Sequence, residues 1–210
     1  MREKGFTLIE LLIVLALIAI LVVILIVVIK PGQIFTRARD TQRSGDLRNL
    51  SQAVDAYLTE LAQNLSLAWP ERGGCTGSTT PYIFFSVGLA NTGTWPTGWP
   101  STTTHWTSGT TSQAIDSSGW VPLNFGLVSV LNLTQLPLDP RNGQTGSVNG
   151  TTTIFAYSFA CDQSNFNYEF AAKLESGTSS MANDGGNRNC TGEDPRDCLY
   201  EVGPGKASLY

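Results

Sequence analysis

The sequence predicts an α+β fold, in which a long N-terminal α-helix, transmembrane and then amphipathic, packs on a small antiparallel β-sheet head. Three observations support this prediction. An unbroken run of 19 apolar residues covers 11–29, apolar residues at helical spacing follow over 47–65, and two alternating segments come after residue 152. Helices and strands that are segregated along the chain in this way are typical of α+β proteins.

The apolar run is long enough to cross a bilayer. As a helix, residues 11–29 would span about 28 Å, close to the thickness of the hydrocarbon layer. The run is longer than the core of a secretory signal, and Lys30-Pro31-Gly32 follows it where a cleaved signal would have a small-x-small site. The residues alone therefore favour an uncleaved membrane helix, with a stationary anchor as the main alternative to any more specialised role.

Glu10 is the unusual residue at the start of this helix. An ionised carboxylate left alone in the hydrocarbon layer costs roughly a few kcal/mol, and the span contains no basic residue. A cut after Gly5 would supply a partner, because the new α-amino group of Phe6 would be largely cationic at neutral pH. That amine could pair with Glu10 of the same chain, or with Glu10 of a neighbour and so fix the register of an assembly.

The segment "KGFTLIELLIVLALIAIL" closely resembles the N-terminal signal of bacterial type IV prepilins and type II secretion pseudopilins. The resemblance implies that a prepilin peptidase cuts between Gly5 and Phe6 and N-methylates Phe6. It implies that Glu10 recruits the subunit into a homopolymer built by pilus assembly machinery. The chain would first sit in inner-membrane lipid with its N-terminus inside, although the count of flanking basic residues favours the opposite orientation, and would end in a filament on the cell surface.

Four segments follow from this interpretation. They are a leader peptide at 1–5, a transmembrane and filament-core helix at 6–29, an amphipathic helix at 30–65 and a β-rich head at 66–210.

Pro31-Gly32 is expected to interrupt the helix. The apolar face of the second helix is predicted at Leu47, Leu50, Val54, Tyr57, Leu58, Leu61 and Leu65. We interpret most of its charged residues as a solvated face, and the resemblance adds contacts with neighbouring subunits: Arg37, Arg39, Asp40, Arg43, Asp46 and Arg48.

Two strands are predicted in the head. The alternation in "TIFAYSFA" and in "NYEFAAKLE" indicates a hairpin joined by "CDQSNF", with one face packed on the amphipathic helix. This arrangement is the αβ-roll that the resemblance implies. Before the hairpin, "LPLDPRNG" resembles a stretch found in pseudopilins, and Asp139-Pro140 with Asn142-Gly143 predicts a turn.

The four cysteines favour disulfides formed outside the cytoplasm, because their number is even and a membrane-export segment precedes them. Among three possible pairings we favour Cys190–Cys198, which closes a short polar loop, with Cys75–Cys161 as the remainder. Four reduced, partly buried thiols are the alternative. No C-x-x-C pair occurs, and the single histidine, His105, has no cysteine nearby in the sequence, which argues against a zinc site.

The acidic tail does not form a recognisable metal motif. The resemblance to pseudopilins suggests calcium, but the spacing of the tail carboxylates matches no EF-hand loop. We therefore expect a solvated loop and predict no bound metal. The carboxylates in question are Asp184, Glu193, Asp194 and Asp197.

Enzymatic activity and nucleic-acid binding are not predicted. The sequence contains no G-x-S-x-G, P-loop or dinucleotide motif, so we expect no catalytic residue and no cofactor. Residues 63–210 carry six Lys/Arg against eleven Asp/Glu, which leaves no broad basic surface for phosphate contacts. Two other roles stay open. The first is a pseudopilin. The second is a stationary membrane-anchored extracellular binding protein that uses Trp95, Trp99 and Trp106 as its contact surface, although such rings more often pack within their own domain.

Overall fold

The computed structural model describes residues 5–63, 82–89, 95–99, 106–162, 166–176, 184, 188 and 198–205. Its class is α+β, as predicted, and the chain divides into two compact units, Met1–Ala38 and Arg39–Tyr210. In chain order the described elements are α1 (Leu8–Ile29), α2 (Pro31–Gln63), β1 (Tyr82–Phe85), β2 (Trp106–Gly109), a 3-10 turn (Phe125–Leu127), β3 (Thr145–Val148), β4 (Thr151–Ile154), β5 (Tyr157–Asp162), β6 (Asn167–Lys173) and β7 (Leu199–Val202).

The interruption of the helix falls on Lys30. This residue has left-handed backbone angles, φ 47° and ψ 67°, and its N–H donates to the carbonyl oxygen of Ile26 at 3.3 Å. Pro31 then begins α2. Proline is well suited to the first position of a helix, because the N–H that it lacks would have no partner in the helix there. The break therefore comes one residue before the predicted Pro31-Gly32 pair.

The second half of α2 carries the predicted apolar face. Residues at three- and four-residue spacing are fully buried against the sheet, namely Leu47, Leu50, Val54 and Tyr57. Leu58 and Leu61 are half-buried against the same cluster, while Leu65 lies outside the described residues. Because burial of such side chains contributes about 1.5–3 kcal/mol each, this face is a substantial attachment of α2 to the head.

One sheet of five strands forms within the described residues, in the order β2-β1-β5-β6-β7. The predicted β5–β6 hairpin is antiparallel, with Phe159 opposite Phe170. The strand β1 pairs antiparallel with β5, and β7 with β6, but β2 runs parallel to β1. The sheet is therefore mixed, where we predicted an antiparallel one. A parallel pair needs a connection of a dozen or more residues, which the 20 residues between Phe85 and Trp106 provide.

A separate hairpin, β3–β4, replaces the start of one predicted strand. We expected a single strand over 153–160, but the structure divides this segment at Phe155 and Ala156. The cause lies just upstream, where Asn149 (φ 48°) and Gly150 (φ 80°) join β3 to β4. Asn-Gly is the preferred pair for a two-residue hairpin turn because both positions need positive φ.

Both faces of the five-stranded sheet are covered. The face opposite α2 packs in a second cluster, whose buried members are Ile83, Phe85, Val87, Trp99, Ala156, Ala160, Ala171 and Leu199. The indole N–H of Trp99 donates to the carbonyl oxygen of Ile154 at 2.9 Å, and its ring meets Phe85 edge-on at 5.1 Å between centroids. Gly98 makes this possible: its φ is +79°, and a Cβ there would lie 2.5 Å from the carbonyl oxygen of Thr152.

The proposed tryptophan contact surface is therefore wrong for Trp99, which is only 2% exposed. Trp95 is half-buried and packs against the same cluster, with its ring 6.1 Å from that of Phe85. The side chain of Trp106 lies outside the described part of the chain. Large aromatic rings gain most by removing their area from water, and Trp95 and Trp99 do so within their own head.

Candidate processing and assembly segment

The N-terminus of α1 is fixed by a pair of side chains, Thr7 and Glu10. Thr7 is the N-cap, with extended angles φ −83° and ψ 150°. The backbone N–H of Glu10 donates to Thr7 Oγ1 at 3.3 Å, and the Glu10 carboxylate accepts from the Thr7 backbone N–H at 2.9 Å and from its hydroxyl at 2.8 Å. This reciprocal capping box satisfies donors that the first turn of a helix leaves unpaired.

Gly5 and Phe6 precede the helix and are exposed. Phe6 is 89% exposed, and residues 5–7 are not helical. A Cβ added at Gly5 would meet no atom within 4 Å, and the φ of Gly5 is not among the positive ones. Packing within the described part of the chain therefore does not require glycine at this position.

The helix α1 presents an apolar surface on every side. None of its 22 residues is buried, and it is the one helix in the described part of the chain that is long and apolar enough to cross a membrane. Glu10 is its only charged residue and lies in the first turn. The carboxylate therefore lies near one end of the span, with Thr7 as its partner.

Thr7 is the residue that our reading of the sequence missed. The signal was present, since Thr7-Leu8-Ile9-Glu10 has the T-x-x-E spacing of a capping box directly before an apolar run. We considered Glu10 as a charge in need of a cation, whereas the structure gives its carboxylate two neutral donors on Thr7. A cation and the two Thr7 donors can bind the Glu10 carboxylate at the same time, because a carboxylate has about four acceptor positions.

A second group of charged residues lies in the head, and we call it the ionic clasp: Arg39, Asp40, Arg43, Asp139, Arg141 and Glu175. Arg43 is fully buried, with Nε 2.6 Å from Asp139 Oδ2, Nη1 2.8 Å from Asp40 Oδ1, and Nη2 2.8 Å from Glu175 Oε1. Arg39 adds a bond of 2.6 Å from Nη2 to Glu175 Oε2. The clasp joins α2 to the turn before β3 and to the end of β6.

The interpretation of these charges as a solvated helix face is wrong for Asp40 and Arg43, which are 2% and 0% exposed. The Asp40 carboxylate also accepts the backbone N–H groups of Glu175 at 2.9 Å and Ser176 at 3.0 Å. The guanidinium of Arg43 lies 4.9 Å from the centre of the Phe155 ring, which adds a cation–π contact. Buried charges are tolerated when they are paired and hydrogen-bonded in this way.

The contacts of the clasp shift the pKa values of Arg43 and Glu175. Burial alone would lower the pKa of Arg43, but the hydrogen bonds and charges of Asp139 and Glu175 outweigh it and raise the pKa above its usual value. Burial would likewise raise the pKa of Glu175, yet hydrogen bonds from Arg39 and Arg43 hold that pKa below its usual value. Arg43 and Glu175 are therefore charged at neutral pH, which suits a structural attachment better than proton transfer.

Further hydrogen bonds continue this attachment along α2. Tyr157 donates its hydroxyl to Asp46 at 2.8 Å, and Tyr168 donates to Asp55 at 2.6 Å. Burial raises the pKa of the Tyr157 hydroxyl, and the neighbouring charge of Asp46 raises it further. The turn predicted at Asp139-Pro140 is confirmed by the bond of 2.9 Å from the Asn142 N–H to the Asp139 carbonyl oxygen.

The cysteine and tail predictions fall largely outside the described residues. Cys161 and Cys198 are both disulfide-bonded, whereas Cys75 and Cys190 lie outside the description, so the pairing stays a prediction. Of the tail carboxylates, Glu193, Asp194 and Asp197 are also outside it, as is His105, and Asp184 accepts the backbone N–H of Glu201. Across the described ranges, no three His, Cys, Asp or Glu side chains are arranged to hold a metal ion.

Comparison with known proteins identifies the N-terminal segment. Residues 1–26 match the family model of the prokaryotic N-terminal methylation motif. No curated protein and no solved structure matches the chain. The matched range contains Gly5, Phe6, the Thr7–Glu10 capping box and most of α1. Residues 1–26 of this chain therefore carry the prokaryotic N-terminal methylation motif, the prepilin signal of type IV pilins and pseudopilins.

Proposed function

We propose that this chain is a structural subunit of a type IV pilus or pilus-like filament. A prepilin peptidase cuts it between Gly5 and Phe6 and methylates the new amine, and the mature chain polymerises through its N-terminal helix with other pilin subunits. The methylation motif over residues 1–26 supports the processing steps. The proposal keeps the four-part division into leader 1–5, core helix 6–29, amphipathic helix 30–65 and head 66–210.

The observation that carries the proposal is the surface of α1. An apolar helix of 22 residues with none of them buried needs either lipid or other apolar helices around it. A subunit that is first stored in the inner membrane and then transferred into a filament core would have lipid around α1 in the first state and other apolar helices around it in the second. The same helix surface serves the two states in turn, while the ionic clasp and the apolar face of α2 keep the head attached.

Glu10 supports the polymer over a stationary anchor. A plain anchor would use this carboxylate only to cap the first turn, as it does with Thr7, while desolvation penalises the charge. In a filament, that carboxylate can meet the cationic Phe6 amine of a neighbouring subunit and fix the axial register. We propose this pairing between subunits as the recruiting contact, with the N-terminus inside before assembly and the head outside.

Substitution of Glu10 tests this proposal. Cells that produce Glu10→Ala should contain membrane-bound chain but no surface filaments, because the neighbour's amine loses its carboxylate. Glu60→Ala is the matched control, since it removes a carboxylate from α2 far from the cut, and this variant should assemble normally. Filaments of normal number and length from Glu10→Ala, seen by electron microscopy, would contradict the proposed recruiting role and favour an anchor.

A pseudopilin of a type II secretion system is the second candidate, because pilins and pseudopilins share the motif. The two differ in the product that cells make. A pilin should be the most abundant subunit of long surface filaments, identified by mass spectrometry of sheared material. A pseudopilin should instead be absent from sheared material, and its deletion should block protein secretion.

A further inference from the structure

We propose that Thr7 is a positioning residue for the cleavage, because its capping box with Glu10 starts α1 at Leu8 and keeps the Gly5–Phe6 bond outside the helix. This inference rests on the proposed function, since it concerns how the chain is presented to the peptidase. Its basis is the geometry of the uncut N-terminus, where Thr7 is extended and α1 begins directly after it.

The chemistry of the cut explains why the start of the helix matters. Hydrolysis adds the oxygen of water to the carbonyl carbon of Gly5, breaks its bond to the nitrogen of Phe6, and leaves a carboxylate on Gly5 and a protonated amine on Phe6. If the helix extended back to Gly5, the Gly5 carbonyl oxygen would accept the N–H of Ile9. The bond would then be enclosed in the helix backbone and closed to attack.

The capping box opposes that extension. The Glu10 N–H now has Thr7 Oγ1 as its acceptor at 3.3 Å. Without the hydroxyl, the nearest replacement is the carbonyl oxygen of Phe6, four residues back, and that bond would move the N-cap from Thr7 to Phe6, whose nitrogen belongs to the bond to be cut. The carboxylate of Glu10 adds to the opposition by holding the Thr7 N–H at 2.9 Å.

The positioning role and the assembly role of this segment are separable. A capping box works with Glu or Gln at the third helical position, because either side chain offers an oxygen to the N-cap N–H. Glu10→Gln should therefore keep the start of the helix and the cut, while removing the charge that the neighbouring subunit needs. Thr7→Ser should keep the box, and Thr7→Val should remove it with little change in size.

The test is a cleavage assay on the full-length chain in membranes containing prepilin peptidase, with rates measured over a range of substrate concentrations. Loss of an N-cap changes a helix equilibrium by about fivefold, so Thr7→Val should raise KM, with about fivefold as the upper limit, which is reached when the extended helix predominates. Its kcat should be unchanged, because only the fraction of chains that present the bond falls. Thr7→Ser and Glu10→Gln should be cut with kinetics within about twofold of the natural chain.

The outcomes separate the inference from the proposed function. Failure of the natural chain to be cut would overturn both. A natural chain that is cut, with Thr7→Val cut at the same KM, would overturn the positioning role alone. Equal losses in Thr7→Val and Thr7→Ser would also overturn it, because the hydroxyl would then be irrelevant. A fall in kcat for Thr7→Val would place Thr7 in contact with the peptidase and contradict an effect on presentation.

Discussion

Arg43 and Asp139 form a buried, two-bonded ion pair between residues 96 positions apart in the chain. Nε of Arg43 lies 2.6 Å from Oδ2 of Asp139, and Nη2 lies 2.9 Å from Oδ1. Parallel bonds of this kind are strong and fix orientation as well as distance. The pair holds α2 against the turn before β3, and it therefore connects the helix that leaves the head to the body of the head.

Arg43→Ala should be among the most destabilising single substitutions in the head. It would leave the buried carboxylate of Asp139 without its cation, and loss of one partner of a buried pair costs about 3–5 kcal/mol. Chemical unfolding of the full chain in detergent, followed by tryptophan fluorescence, measures this loss. Arg48→Ala is the control, because the exposed Arg48 bonds Tyr200 at 2.8 Å and should cost about 1 kcal/mol or less. Equal losses in the two variants would refute the importance of the clasp.

Acid should weaken the clasp through Glu175. Its pKa is lowered in the folded chain by Arg39 and Arg43, so its contribution is complete above the unfolded pKa of about 4.3. That contribution is lost as the pH falls through the lower, folded value. Glu175→Gln should therefore be less stable than the natural chain at pH 7 and lose less stability between about pH 5 and 3, measured as unfolding free energy at each pH. Identical pH slopes in the two chains would show that Glu175 is not a source of acid sensitivity.

Trp99 variants test whether this ring stabilises the head from within or serves as a contact surface. Because its ring is buried against Phe85, Trp99→Ala should lower the unfolding free energy by about 3–5 kcal/mol. Trp99→Phe should cost less, since it keeps most of the apolar area. Its remaining cost comes from the lost hydrogen bond to the Ile154 carbonyl oxygen. A contact residue on an open surface would behave differently, with Trp99→Ala leaving the stability unchanged and affecting only binding.

The disulfide pairing can be read directly from peptides. Cys161 and Cys198 are both in disulfides, and we predict Cys75–Cys161 and Cys190–Cys198. Digestion without reductant should yield linked peptides of these two kinds, identified by mass spectrometry before and after reduction. A peptide linking Cys161 to Cys198 or to Cys190 would show one of the other two pairings and would contradict the predicted short loop.

The elements that the sequence predicted are those set by local periodicity. The face of α2 that contains Leu50 and Val54 and the hairpin with Phe159 opposite Phe170 both follow from spacing along the chain. The β3–β4 turn was also predictable, since Asn149-Gly150 is a strong hairpin signal that we did not use. The Thr7–Glu10 box was missed for the same reason, because its T-x-x-E signature lies inside a segment that we considered only for charge.

Other features had no local signal. The clasp depends on Arg43, Asp139 and Glu175 meeting across the fold, and the spacing of charges on α2 does not distinguish a buried arginine from a solvated one. The parallel pairing of β2 with β1 depends likewise on a connection whose course periodicity does not specify. Long-range partners of polar residues are set by the tertiary fold, which is why the solvated interpretation failed at Asp40 and Arg43.

If the chain is cut after Gly5, methylated on Phe6 and assembled in that form, its mass in the filament is fixed. Intact-mass analysis of the chain from sheared surface filaments, with sequencing of its N-terminal peptide, measures this. We expect a mature chain that begins at Phe6 and carries one added methyl group on its α-amine. A filament or membrane chain that keeps Met1 or Arg2 would contradict it.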